Sequence, residues 1–503
     1  MYDLAREQSP TEAQLGRILE RSLSSGYNAV GIYVEHRFGY GSVPWVGGAG
    51  SLQPKVVRRL TERFRARGLR IIPFLNTLGH MEGFLRVPGG NRFAEVAGRT
   101  CSSGDDDFLF CAPLSEQICP SRAECLEFVR GLVADAIEVF SDEWIHLGGD
   151  ETKQLGSCAR CAERAERIGV GGIYGTHMGE LCRQVLEAGR RPCIWGDMLL
   201  THPEAMDYIP PETIIFDWQY ETGPRETSRV FRDRGFEVVC CPSVQSYNSG
   251  WCFLDATQRN IDEHAEDARE LGALGVLVTT WEQIFFGSYE SIEPVILAAG
   301  RRLGEGMGWS DALVMEGGAS LARAVEILGN RIPAVSSFLG PGTWRQLRDR
   351  LVMRGNPFHL WREWRDEACG EVGDRILELC DAATDALASD GKPADGALLL
   401  AIELHRVSVA FVRMVEEAFG EFGDGRFGNA SDRLESAAGV LERLRPGLSD
   451  AAGQGGSAKD PARLDRLVEI VRATAKRIEE CGRSRSPKAS FESVVLPDVS
   501  SGA

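Results

Sequence analysis

From its start to about residue 305 this chain repeats one unit, and that repetition constrains its fold more than any other feature. Each unit is a short apolar, β-branched run, a polar or Gly-rich loop, and a stretch with apolar residues three and four apart. The strand-like runs are "MYDL", "NAVGIYVE", "LRIIPFL", "EWIHLGGD", "RPCIWGDM", "TIIFDWQY", "FEVVCCPS" and "LGVLVTTW", eight in all. Between them lie helical patterns such as "PKVVRRLTERFRARG" and "SRAECLEFVRGLVADAIEVF". Eight alternations predict an α/β fold, a closed (β/α)8 TIM barrel over residues 1–308, whose active site sits where the strands end. Beyond about residue 310 strand signals vanish, and "ALLLAIELHRVSVAFVRMVEEAFGEF" and its neighbours predict an all-helical C-terminal domain over 309–482. Residues 483–503 read as a disordered tail.

Applied to the eight runs, the strand-end rule collects Glu35, Asn76 with His80, Asp150 with Glu151, Trp195 with Asp197, Asp217 with Trp218, Tyr247, and Trp281 with Glu282. Carboxylates and tryptophans converge on one mouth. Trp195, Trp218 and Trp281 can form flat apolar walls of the kind that sugar rings and acetyl methyl groups pack against. The stretch "EWIHLGGDET" is the sharpest of these ends. Adjacent side chains of a strand face opposite ways, so Asp150 and Glu151 point together only if the strand stops there, and the preceding glycines allow a tight turn beside a ligand. A carboxyl next to apolar and aromatic groups is expected to have a raised pKa, which suits Glu151 to general acid work while Asp150 stays ionised.

The 56 Lys and Arg against 73 Asp and Glu give a net charge of −17, which argues against nucleic acid or an anionic membrane surface as the partner. No run approaches the roughly 18 apolar residues of a membrane span, and "MYDLAREQSP" lacks the features of a signal peptide, so a soluble cytoplasmic protein is expected. In that setting the fourteen cysteines read as reduced thiols. "CARC", Cys158 to Cys161, has metal-ligand spacing but supplies two of the four ligands of a structural zinc. Cys182, Cys193 and His177 are the candidates to complete it; ordinary thiols are the simpler reading, and no metal or cofactor is assigned. Trp361, Trp364 and His405 of the helical domain read as core.

The motif "HLGGDE" resembles the His-x-Gly-Gly-Asp-Glu signature of glycoside hydrolase family 20, the β-N-acetylhexosaminidases, and "IIPFLNTLGHMEGF" is similar to that family's Pro…Pro-Gly-His region. "PCIWGDML", "FDWQY", "SVQSYNSG" and "GVLVTTWEQ" follow in the family's order, so the resemblance covers roughly residues 1–305 and is nearest the hexosaminidase D type. It implies exo-acting, retaining hydrolysis of terminal β-linked GlcNAc or GalNAc, in which the substrate's 2-acetamido group replaces the enzyme nucleophile. By resemblance Glu151 is the general acid and base, and Asp150 holds the acetamido N–H. Tyr247 bonds the acetamide carbonyl, and Trp195, Trp218 and Trp281 wall the acetamide pocket. Asp197 and Glu282 are further substrate-binding candidates, His80 contacts the general acid, and Glu35 takes the place of the histidine's acidic partner.

The chain departs from the family in three places. It reads "VEHRFGY" where an Asp-Asp pair is usual, it has Met1 and Tyr2 before Asp3 where an arginine is common, leaving Arg6 as a substitute, and it reads Trp281-Glu282-Gln283 where Trp-x-Glu is frequent. Two other readings compete. One is a metal-dependent barrel hydrolase using His80, His146 and Asp150; the other is a non-catalytic carbohydrate-binding barrel. The helical domain is expected to pack on the barrel or to self-associate as a homodimer.

Overall fold

The computed structural model describes residues 1–5, 9–48, 50–87, 89–96, 116–246, 251–281, 289–336, 356–359, 362–389, 395–455 and 457–484. The chain divides into two compact units, one of residues 1–244, 256–281 and 296–309, the other of residues 245–255, 282–295 and 310–503.

The first unit is the curled parallel sheet that the repeat predicts. Its strands are β1 (Tyr2–Asp3), β2 (Ala29–Tyr33), β3 (Arg70–Phe74), β4 (Trp144–His146), β5 (Arg191–Trp195), β6 (Ile214–Trp218), β7 (Glu237–Cys241), β8 (Ser243–Val244), β9 (Gly275–Val276) and β10 (Thr279–Thr280). β1 to β7 pair in chain order, each parallel to the next, and β9 completes the row against β7 while β10 pairs with β8. The seventh and eighth runs of the sequence are therefore each split in two. Between β7 and β8 stands Pro242, which has no N–H to give a ladder. The curl is drawn shut at the chain start. The Met1 amino group donates to Val278 O at 2.7 Å, and Thr280 Oγ1 donates to Met1 O at 2.6 Å.

Parallel strands covered by helices must be apolar on both faces. β2, β3, β5 and β7 accordingly have every residue after the first buried. Inside the curl, Tyr33, Ile72, Phe74, Cys193, Trp195, Ile214, Phe216 and Val239 form a core cluster. Helices such as Glu12–Ser24, started by a Thr11–Gln14 capping box, and Ala159–Glu187, kinked at Gly169, return the chain between strands.

In the second unit the helix Gly396–Gly423 packs on Phe427–Glu442, which packs on Asp460–Gly482. His405 is buried there, its Nδ1 2.6 Å from Ala401 O, as a core histidine should be. Trp361 and the Trp364 side chain lie outside the described residues. Among the described residues no helix is long and apolar enough to cross a membrane.

Candidate active site

The chain leaves β4 through Leu147 and two glycines, and this exit fixes where the two carboxylates go. Gly148 and Gly149 have φ of +74° and +89°. A Cβ on Gly148 would stand 2.6 Å from Leu75 O, and one on Gly149 would meet Met178 and Tyr174. Glu151 itself has φ +46°. The pleat therefore ends before Asp150, and the two neighbouring side chains are freed from opposite faces, as the sequence suggested.

Among the described residues three non-glycine residues have positive φ, and all three were singled out from the sequence: Glu35 (+36°), His80 (+50°) and Glu151 (+46°). Such backbone is unfavourable for ordinary side chains and gathers at functional sites. His80 bridges the carboxylate pair, its Nε2 lying 3.4 Å from Asp150 Oδ2 and 3.2 Å from Glu151 Oε2. Burial opposes charge on His80, but Asp150 first, then Glu151 and Glu82, raise its pKa well above the ordinary value.

The pair is asymmetric. Asp150 is buried, whereas the Glu151 side chain keeps 38% exposure and also receives Lys153 Nζ at 3.0 Å. The His80 hydrogen bond pulls the Glu151 carboxyl down to about 2, against the effect of burial and with help from Lys153. This corrects the expected raised pKa. Apolar neighbours alone would have raised it, but His80, brought in by the fold, and Lys153, two residues along the chain, outweigh them. The raised carboxyl is instead Asp197, pushed up to about 7 by burial and then by the charge of Asp150. Its Oδ2 accepts the Glu151 N–H at 2.9 Å, so the first residue of the short helix Asp197–Thr201 after β5 holds the turn after β4 in place.

Glu35 is not the acidic partner of His80. Its Oε2 is 2.6 Å from His36 Nδ1 and its Oε1 accepts the Gly83 N–H at 2.6 Å, while the third carboxylate at His80 is Glu82, 3.5 Å from Nδ1. Glu82 lies two residues from His80 in sequence, and a neighbour that close is reached by a short turn that no strand-end rule inspects. Trp195 is also displaced from its expected role. It is fully buried in the core, packed at tilted and edge-on angles against Phe74, His146 and Phe216, and stands behind Trp281 at 6.2 Å between ring centroids. Trp218 and Trp281 keep partial exposure. Between them stands Tyr220, which accepts the Trp281 indole N–H at 2.6 Å and lies 5.1 Å from the Trp218 ring. Tyr220 ends the run "FDWQY", and its place two residues past Trp218 on the same side of the strand exit is the sequence signal for it. Asp217 turns away to Thr227 and Ser228. Tyr247, Glu282 and Arg6 lie outside the described residues.

Residues 43–287 match the catalytic domain of glycosyl hydrolase family 20. That match spans just under half of the chain. Human β-hexosaminidase subunit beta is 24% identical over 208 residues, 39% of this chain and 35% of that protein. Human hexosaminidase D is 25% identical over 222 residues, 42% of each. The chain thus spans well under two thirds of these relatives. Among solved structures, a Vibrio harveyi GH20 exo-β-N-acetylglucosaminidase aligns over 62% of this chain and 55% of its own at 16% identity and TM-score 0.47. Flavobacterium johnsoniae chitobiase aligns over 99% and 72% at 13% identity and TM-score 0.48. The family 20 match encloses the carboxylate pair, His80, Asp197 and the aromatic side chains around them.

Of the three residues of the metal-hydrolase reading, His80 and Asp150 meet, but His146 does not join them. His146 is fully buried, stacked 4.3 Å from Phe74, and burial holds its pKa well below the ordinary range. Its Nδ1 accepts the Gly148 N–H, so it serves the turn. Nor do Cys182 and His177 approach the Cys158–Cys161 pair, since His177 Nε2 bonds Thr77 O at 2.9 Å and Cys182 is buried beside Thr213.

Proposed function

We propose that this chain is an exo-acting β-N-acetylhexosaminidase that works by retaining, substrate-assisted hydrolysis of terminal β-linked GlcNAc or GalNAc on oligosaccharides or glycoconjugates. The observation that carries this reading is the division of the two adjacent carboxylates. Asp150 is sequestered and Glu151 half-open, with His80 between them. In this reading the glycosidic oxygen lies at Glu151 and the acetamido group at Asp150.

The acetamide carbonyl oxygen attacks the anomeric carbon as the bond to the leaving oxygen breaks, and Glu151 gives its proton to that oxygen. Asp150 accepts the acetamido N–H and balances the positive charge of the oxazolinium ion. Water then adds to the anomeric carbon, Glu151 takes its proton, and the acetamide is restored with β configuration retained. The free site holds Glu151 as an anion, so a bound pyranose must raise its pKa before it can act. Displacing the exposed Lys153 side chain and excluding water from Glu151 both act in that direction. Trp218, Tyr220 and Trp281 form the apolar wall in this reading, backed by Trp195. The catalytic unit is proposed to span residues 1–308, to act in the cytoplasm and to take no cofactor, with the helical domain available for a homodimer.

The test is turnover of aryl β-GlcNAc, β-GalNAc, β-glucoside and β-galactoside side by side. The N-acetyl sugars should be hydrolysed far faster, because plain glycosides lack both the pocket filler and the internal nucleophile. Comparable rates on the plain glycosides would overturn the mechanism, and no turnover of any would leave a carbohydrate-binding barrel.

A further inference from the structure

Away from the carboxylate pair the fold assembles a second set of reactive side chains that the proposed hydrolysis does not use. An isolated antiparallel bridge between Ala94 and Ile118 sets Glu95 beside Cys119, with Glu95 N–H donating to Gln117 O and Cys119 N–H to Phe93 O. Cys158 is the N-cap of the helix Ala159–Glu187, and Cys161 is in its first turn, so the pair faces one way at i and i+3. Cys119 Sγ lies 3.5 Å from Cys158 Sγ and 3.6 Å from Cys161 Sγ. Glu95 Oε1 accepts the Cys158 N–H at 2.9 Å, which turns Oε2 to within 3.2 Å of Cys161 Sγ. The four ligand atoms all lie within 4.8 Å of one another, and among the described residues this is the one such group.

We propose that Glu95, Cys119, Cys158 and Cys161 bind one structural zinc ion. With Zn–S bonds of about 2.3 Å, sulfurs at two corners of a tetrahedron stand about 3.8 Å apart, close to the observed spacings and far beyond the roughly 2.05 Å of a disulfide. Three thiolates and one carboxylate, from a chain segment on each side, make a closed four-ligand set with no position for substrate, as in structural rather than catalytic sites. The positive end of the helix and the Cys161 N–H, 3.4 Å from Cys158 Sγ, stabilise the thiolate charge. Cys158 follows Glu151 by seven residues. Between them Gln154 is tied to the same neighbouring segment, its N–H donating to Gln117 Oε1 at 3.1 Å. Zinc here would clamp the segment that carries the chain away from the carboxylate pair.

The test begins with the full-length protein purified without chelator from zinc-supplemented cells. Elemental analysis should find one zinc per chain, and Cys119→Ser and Cys158→Ser should each lose it. Cobalt substitution should give thiolate-to-metal charge transfer and tetrahedral d–d bands, with intensity for three thiolates per ion. If the serine variants fail to fold, Glu95→Gln and the wild-type cobalt spectrum still decide. A wild-type protein with no zinc that takes up no cobalt into a thiolate site overturns the proposal, as does a Cys158–Cys161 or Cys119 disulfide found by mass spectrometry of the native protein. Neither result bears on hydrolysis by Asp150 and Glu151.

Discussion

Gly148→Ala isolates the physical demand that the β4 exit makes on its sequence. Gly148 has φ +74°, and Gly189, a glycine distant from the carboxylates in the turn before β5, has φ +72°. An alanine at either position pays the same left-handed backbone penalty, about 1–2 kcal/mol. The surroundings differ. Nothing lies within 4 Å of a Cβ at Gly189, whereas at Gly148 it would stand 2.6 Å from Leu75 O and 3.3 Å from Asn76 Cα. That backbone cannot yield freely, because Leu75 N–H donates to His146 O, and Gly148 is itself tied to His146 Nδ1 and to the Trp195 N–H. Overpacking of this kind costs about 1–3 kcal/mol more. Urea unfolding followed by tryptophan fluorescence should therefore show Gly189→Ala down by about 1–2 kcal/mol and Gly148→Ala by about 2–5 kcal/mol. Asp150 lies two residues beyond the clash, and a displacement of about 1 Å can cost roughly 10²-fold in rate. kcat on aryl β-GlcNAc should fall steeply in Gly148→Ala and stay near wild type in Gly189→Ala. Equal stability and unchanged kcat in the two variants would refute the argument that the glycine is there for close backbone approach.

Three further outcomes are expected. Glu151→Gln should slow poorly activated substrates by about 10²–10⁴-fold and nitrophenyl glycosides much less; equal losses across leaving groups would remove Glu151 from the acid role. Asp150→Asn should weaken inhibition by a thiazoline analogue of GlcNAc more than binding of GlcNAc itself, and a sugar ester trapped on a carboxylate by a fluorinated glycoside would show an enzyme nucleophile instead. Asp197 has its pKa raised from 3.8 to about 7, so the folded state binds the extra proton and stability falls as pH rises through that window. Asp197→Asn should flatten that part of the stability profile, and an unchanged slope between the two values would contradict the assignment.

The eightfold alternation alone predicted a parallel sheet with helical crossovers, because strand and helix each leave their own period in the apolar residues, and the strand-end rule pointed to Asp150, Glu151, His80, Trp218 and Trp281 without coordinates. The split of the seventh strand run was less legible, since a single Pro242 inside an apolar run looks like part of it. Ionisation was not legible at all. The strand-end tryptophans suggested apolar surroundings for Glu151, yet His80 first and then Lys153 hold it low, and the raised carboxyl is Asp197. His80 comes from the segment after β3 and Asp197 from the short helix after β5, so charges decided across strands reset what neighbours in sequence would dictate. The same holds for Glu35, whose Oε1 is taken up by the Gly83 N–H, and for the Cys158–Cys161 pair, whose companions Glu95 and Cys119 arrive on a separate bridge. Periodicity is a property of the chain and survives in one dimension, whereas a pKa or a ligand set depends on distances of a few ångströms between segments that only folding brings together.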